Sequence, residues 1–463
     1  MILSKKQIQL YKDIISPNVP YLSIEGSTQS GKTYDICAAM VNYAQVLRDY
    51  EKEQRKNPLY IARQYYGAII GWTTDTLNGN IVENLNNILE TEYHLKKGKD
   101  YELKFGNSEK YLKIYGIKFF FFGFNTYLAF NKILGKPLIF VWVDESARIY
   151  SSQQLRETFD EIPGRQMSFA GHPYFKRIDS YNVEGGANHP YKKNYIDNKP
   201  DWKQYIFYPY DNPVLDTEEK IRQAIETFPP GALREQKVYN RWVVAEGKVF
   251  NNIPLILEED INDYIIREIC IGCDYGSVNA TTFSAIALAN HKGTGQWKLL
   301  LIDHYYHDPK TEGDTPTTEF YSGQIKSFIT YLQKKYVGVP INTLVIDSEA
   351  SHFDNRLTVD GIRHELAKKN NMTVDKSVQL MQSLFYKDIL KKAKQKSIKY
   401  FINEEPVYAG HDIGLEELEA YHYDKLKSER EGINCYVKEF DHYVDGSRYA
   451  IMELALTGRA PIV

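Results

Sequence analysis

The chain has 463 residues, enough for two or three domains. With 43% hydrophobic and 25% charged residues it has a globular composition, which excludes disordered and fibrous classes. Lysine and arginine number 57 against 60 aspartates and glutamates, a net charge of −3, so there is no global basic field, although a local basic track could still meet nucleic-acid phosphates.

Tyr21 to Glu25 reads as a short strand, followed by a Gly-rich turn and a helix from about Thr33 to Asp49. Gly67 to Trp72, Leu112 to Phe122 and Leu138 to Val143 read as further strands, the last apolar on both faces as central parallel strands are. This alternation of strand and helix predicts an α/β layer fold. After Tyr191 the pattern loosens, with prolines at 199, 209, 213, 229 and 230. A second unit is expected from Ile265, with strands Ile269 to Asp274, Thr282 to Asn290, Trp297 to Tyr305 and Leu344 to Asp347, a helix from Thr317 to Lys334, and a last helix over Asp445 to Leu456. The expected division is therefore 1–245, a linker 246–264, and 265–463. Cys270 and Cys273 have CxxC spacing, but on a strand they face opposite sides and could not share one ion. Four cysteines in all suggest a reducing compartment. The start lacks a signal peptide's apolar core and no apolar run approaches membrane-span length, so a soluble cytoplasmic protein is expected.

Gly26-Ser27-Thr28-Gln29-Ser30-Gly31-Lys32-Thr33 fits the phosphate-loop pattern at every fixed position, between a strand and a helix. The glycines let backbone N–H groups turn toward phosphates, Lys32 would reach the β- and γ-phosphates, and the Thr33 hydroxyl would bind magnesium. Leu138 to Val143 ends in Asp144-Glu145: Asp144 would hold magnesium and Glu145 would orient the attacking water. In the second unit, Asp274 and Asp347 end strands, and Asp445 begins the last helix with Asp441 and His442 one turn earlier. Such carboxylates can converge on one or two magnesium or manganese ions and support phosphodiester hydrolysis, with Asp441, His442 and Asp445 competing for the third position. The lysines of 387–399 are a candidate DNA-phosphate track, because Lys387, Lys391 and Lys394 would share one helix face.

With these elements in order, the sequence resembles the large terminase subunit of tailed double-stranded DNA bacteriophages over nearly its whole length. Asp179-Ser-Tyr-Asn-Val-Glu-Gly-Gly186 stands where that family has its coupling motif, Asp211-Asn-Pro213 and Gly247-Lys-Val-Phe250 match stretches closing the ATPase region, and Asp274-Tyr-Gly, Asp347-Ser-Glu and His442-Tyr-Val-Asp445-Gly-Ser-Arg-Tyr449 match the nuclease. Thr28 and Gln29 stand where many relatives have Arg, Val183 replaces the usual Pro, Tyr181 is bulkier than expected, and Gly446-Ser447 replaces Ala and an apolar residue. The resemblance implies a P-loop (RecA/ASCE-like) ATPase domain followed by a ribonuclease H-like α/β nuclease. It further implies ATP with magnesium in the first site, magnesium or manganese in the second, Gln7 as the adenine reader with Gln9 as its rival, Asn182 as a γ-phosphate sensor, and Asp445 as the third nuclease carboxylate. Arg148, Arg156 and Arg165 are candidates for an arginine finger. Implied partners are double-stranded DNA, a small terminase subunit, the procapsid portal and a ring of like subunits, in the host cytoplasm and transiently on the portal. A helicase-nuclease of repair or recombination is the alternative, and a nucleotide-dependent scaffold that does not cut DNA is a third reading.

Overall fold

The computed structural model describes residues 3–106, 109–124, 136–199, 201–369 and 373–457. The chain forms two compact units, one of residues 1–245 together with 426–433, the other of 246–425 and 434–463.

The first unit is built on an eight-stranded sheet: β1 (Tyr21–Gly26), β2 (Tyr66–Gly71), β3 (Tyr101–Phe105), β4 (Lys110–Ile114), β5 (Ile117–Gly123), β6 (Leu138–Asp144), β7 (Lys176–Tyr181) and β8 (Lys203–Phe207). Their order is β3-β4-β5-β2-β6-β7-β1-β8. The run from β5 to β8 is parallel, while β3, β4 and β5 pair antiparallel. Every residue of β6 is buried, as a central parallel strand requires. Helix α1 (Lys5–Ile15) starts on a Ser4–Gln7 capping box, and α2 (Lys32–Gln54) begins at Gly31 and buries Ile36 to Val41 against the sheet.

The stretch Leu112 to Phe122, expected as one strand, is instead the β4–β5 hairpin. Tyr115 and Gly116 both have positive φ, +50° and +85°, the primed turn that matches the twist of a tight hairpin. A lone Gly between apolar residues is a weak turn signal, and Tyr is uncommon at such a position.

The second unit carries β9 (Leu255–Leu257), β10 (Tyr264–Asp274), β11 (Thr281–His291), β12 (Trp297–His307), β13 (Ile341–Ile346), β14 (Glu365–Leu366), β15 (Leu390–Lys394), β16 (Ile398–Ile402) and β17 (Glu405–Tyr408). They order as β14-β13-β10-β11-β12-β15-β9, with β16 between β12 and β17. The three long strands β10, β11 and β12 are antiparallel, and β13 joins β10 in parallel, which is a ribonuclease H-like arrangement. Helix α3 (Thr318–Lys335) packs Tyr321, Ile325, Phe328 and Leu332 into the core on one face of this sheet. Helix α4 (Val374–Tyr386) follows β14, and the last helix, α5 (His442–Leu456), lies on β10 and β11.

Three expectations change here. Residues 246–264 do not form a free linker: Leu255–Leu257 adds an edge strand beside β15, too short to register as periodicity. Residues 426–433 pack with the first unit through main-chain contacts, Gly186 N–H donating to Gly432 O at 2.9 Å. The lysine run is not a helix face. Residues Leu390–Lys394 are strand β15 paired with β12, Lys392 is buried against Asp412 at 2.8 Å, and Lys391 pairs with Asp388. Lysine spacing alone could not separate these conformations, because partners from β12 decide the local geometry. Cys270 and Cys273 both lie buried in β10. Among the described residues no helix is long and apolar enough to cross a membrane.

Candidate functional sites: a phosphate loop and a carboxylate cluster

In the first unit, β1 delivers Gly26 to the tip of the sheet, and the loop to Gly31 closes at the N-terminus of α2. Gln29 and Gly31 have φ of +63° and +83°, so the backbone curls tightly into the helix that follows. A Cβ on Gly26 would lie 2.8 Å from Lys32 Cδ and from Ser30 Oγ, so the curl leaves no room for a side chain there. The loop is held from outside: Ser27 N–H donates to Phe207 O, Thr28 N–H to Lys237 O, and Asn212 Nδ2 to Gln29 O at 2.7 Å. The hydroxyls of Ser27 and Ser30 are buried and bond to no other group among the described residues, and Thr33 is the second residue of α2. This is a donor-rich cradle at a helix N-terminus, suited to an anion.

Lys32 Nζ donates to Gly26 O at 3.3 Å and to Asn182 Oδ1, so the phosphate loop and the end of β7 share one ammonium. Asp144, at the tip of β6, accepts from Ser180 Oγ at 2.7 Å, and Ser180 in turn accepts from Trp142 Nε1 at 2.8 Å. Burial, then the neighbouring Glu145, pushes the Asp144 carboxyl up to about 6, with Ser180 and Lys32 opposing. Glu145 has φ +55° and pairs with Arg148 at 3.3 Å, while the Arg148 guanidinium lies over the Trp72 ring. Arg156 donates to the carbonyls of Tyr150 and Ser151, and Arg165 is 3.9 Å from Glu161. None of the three is thereby marked as a finger.

Gln7 is buried, its Oε1 accepts from Ser4 N–H, and its Nε2 lies 3.1 Å from where a Gly31 Cβ would be, which places it beside the loop. Gln9 instead donates to Asp13. Along the coupling stretch, Asp179 is buried between Arg177 Nε (2.5 Å) and Tyr191 OH (3.0 Å), and the large Tyr181 is accommodated by Ser23 at 3.1 Å. Asn212 lies in the Asp211-Asn-Pro213 stretch noted in the sequence, whereas Lys237 carries no such motif. Lys237 donates through Nζ to Val183 O and accepts through its carbonyl from Thr28, so it ties the coupling stretch to the loop. A single Lys in a loosely patterned region gives no sequence signal.

In the second unit, α5 sits against β10 where Gly272 meets Gly446. A Cβ on Gly272 would be 1.9 Å from Gly446 O, so this approach requires glycine. A Cβ on Gly446 would itself lie 3.0 Å from Thr282 Oγ1 and 3.3 Å from Gly272 O, so the helix side of the contact is tight as well. Thr282 Oγ1 donates to His442 O at 2.9 Å and fixes the start of the helix. His442 Nδ1 then lies 2.8 Å from Asp274 Oδ2. Asp445 accepts from Arg448 Nη2 at 3.0 Å, and Asp441 is 3.1 Å from Lys438. Asp347 accepts from Tyr449 OH at 2.9 Å, from Glu349 N–H at 2.9 Å and from Lys369 Nζ at 2.6 Å.

Asp274 lies within reach of the charges of the other two carboxylates. Burial raises the Asp274 carboxyl above the usual range, and the charges of Asp445 and Asp347 add to the rise against the opposing His442. Burial would also raise Asp347, but Lys369, the Glu349 N–H and Tyr449 together hold it below the ordinary value. Burial would lower His442, yet its bond to Asp274 leaves it raised. As placed, among the described residues, no three His, Cys, Asp or Glu side chains are gathered closely enough to hold a metal ion. Each of Asp274, Asp347 and Asp445 is held by a basic side chain instead. The chemistry of the donors nevertheless suits a hard divalent ion: carboxylate oxygens from two strand ends and one helix, with a rise at Asp274 that such a charge would offset.

No protein-family model matches the chain, and no curated protein does. Solved structures do. The large terminase from a thermophilic bacteriophage, 19% identical, has a TM-score of 0.73 over 98% of this chain and 100% of that one. The same phage's large terminase in complex with ADP, 20% identical, gives 0.71 over 96% and 98%. Its complex with ATP-γ-S, 19% identical, gives 0.69 over 97% and 98%. The chain thus has the fold of a phage large terminase over 98% of its length.

Proposed function

We propose that this chain is the motor subunit of a phage DNA-packaging machine, hydrolysing ATP to drive double-stranded DNA into a procapsid and cutting concatemeric DNA with a metal-dependent endonuclease. The carrying observation is that one chain with this fold holds a phosphate loop whose lysine touches Asn182 and, in its other unit, a set of acids at the ends of β10, β13 and the start of α5. The thermophilic phage's terminase is described with ADP and with ATP-γ-S, which supports nucleotide binding at the matching loop here.

In this reading residues 26–33 take the phosphates, Gln7 reads the base, and Thr33 and Asp144 would hold magnesium, which supplies charge neutralisation on the phosphates. Lys32 stabilises charge on the transferred phosphoryl group, Glu145 holds the attacking water, and Asn182 reports the state of the γ-phosphate to β7. Asp274, Asp347 and Asp445 would hold magnesium or manganese, as a pair of ions that activates water and stabilises the leaving oxygen. His442 positions Asp274.

The partners we propose are double-stranded DNA, a small terminase subunit, the portal and a ring of like subunits, at work in the host cytoplasm and docked on the portal. A two-lobed helicase is disfavoured, because the second unit has an antiparallel β10-β11-β12 core and not a second phosphate-loop sheet. The test is ATP turnover by the purified chain, plasmid cleavage with magnesium or manganese, and DNA protection by portal-bearing procapsids. A chain that turns over ATP and unwinds duplex DNA, but leaves no procapsid-protected DNA, would favour the helicase-nuclease.

A further inference from the structure

Two consecutive lysines behave differently beside the carboxylate cluster. The pairing of β13 with β14 and the bond from Ala367 N–H to Ile346 O bring the chain alongside Asp347. Lys368 then reaches Glu453 on α5 at 2.8 Å, and Glu453 is only 3% exposed. That pair anchors the segment. The next residue, Lys369, turns to the cluster: its Nζ is 2.6 Å from Asp347 Oδ1 and 3.3 Å from Glu349 Oε1, and it stands over the Tyr449 ring at 5.7 Å.

The cations on the cluster are not equivalent. Arg448, which holds Asp445, is 1% exposed and makes further bonds to Ser377 and Met452, so it cannot leave without stranding a buried guanidinium. Lys369 is 28% exposed, holds Asp347 by one compact ammonium on a flexible stem, and can move into water at small cost. Glu349 is 84% exposed and already within reach, an alternative partner that would keep the ammonium close.

We propose that Lys369 is a resident counter-ion of the nuclease site. It competes with a divalent cation for Asp347, shifts to Glu349 when the cation binds, and so sets the cation concentration at which cutting begins. This rests on the nuclease reading above.

The test is manganese binding to the full-length protein, read from the electron paramagnetic resonance of free manganese, for the wild type, Lys369→Ala, Lys369→Arg and Asp347→Asn. Binding that Asp347→Asn abolishes should tighten about two- to fivefold in Lys369→Ala and stay near wild type in Lys369→Arg. The manganese concentration for half-maximal plasmid cutting should fall by the same factor, while ATP turnover stays unchanged. Should Lys369→Ala not fold, Lys369→Gln carries the same expectation. Unchanged or weaker manganese binding in the folded variant overturns the proposal. A wild type with no Asp347-dependent manganese binding overturns the metal-site reading itself, and the proposal with it.

Discussion

Lys32 and Glu145 sit at opposite ends of the proposed phosphoryl-transfer chemistry, and the structure separates what each should do. Lys32 lies in the cradle, so Lys32→Ala should weaken nucleotide binding and abolish turnover. Glu145 stands at the tip of β6 with φ +55° and pairs with Arg148, so Glu145→Gln should bind ATP and stall, with turnover down at least about a hundredfold in a steady-state assay. The nuclease side allows a similar separation. Asp445→Asn preserves the shape around the buried Arg448 but removes the charge, and should abolish plasmid nicking with either metal. His442 touches Asp274 and offers nitrogen rather than oxygen to a metal, so His442→Ala should keep substantial manganese-supported nicking. A dead His442→Ala beside an active Asp445→Asn would transfer the third position to the histidine. These candidates could be proposed from the sequence because their signals are local: a fixed loop spacing, or an acid ending an apolar run. Lys237 and Lys369 carry no such signal, since each meets a partner far away in sequence.

Among the elements, β7 links the chemistry of the first unit. It carries Asp179 in a buried pair and Ser180 on Asp144, and it leads directly into Asn182 on Lys32. Asn182→Ala should leave ATP hydrolysis within a few-fold of wild type but lower the DNA packaged per ATP, measured by nuclease protection against phosphate release. The adjacent strand β1 holds a pH-dependent liability. Glu25 is pushed up to about 7 by burial, with Trp242 and Tyr181 opposing. Its folded value is above the ordinary 4.5, so its contribution to stability is fully present below about pH 4.5 and is lost as pH rises through 7. Glu25→Gln should therefore be more stable than wild type at pH 8, by no more than ~3 kcal/mol in denaturant unfolding, and the gap should close by about pH 4.5. A gap independent of pH would show that shape, not charge, sets the difference. The elements least legible in the sequence were those fixed by pairing: the Tyr115-Gly116 hairpin and the β15 strand, where lysine spacing resembled a helix face.

For the whole molecule, the sequence marked two units, but placed the boundary as one cut. Residues 426–433 pack with the first unit through backbone bonds such as Gly186 to Gly432, which carry no side-chain signature. The two proposed sites share no residue: one uses positions from Gln7 to Asn182, the other from Asp274 to Asp445. Asp347→Asn should therefore abolish cleavage with ATP turnover intact, and Lys32→Ala should abolish turnover while manganese-supported nicking persists. The bonds of Asp347 to Tyr449, Glu349 and Lys369 lie within its own unit, so removing its charge has no path to the phosphate loop through a shared ligand. The paired assay is phosphate release and plasmid nicking on the same preparations, with thermal melting as the check on folding. If either folded variant lost both activities, a single shared active centre would replace the two-site description, and the division of labour between the sheets would have to be abandoned.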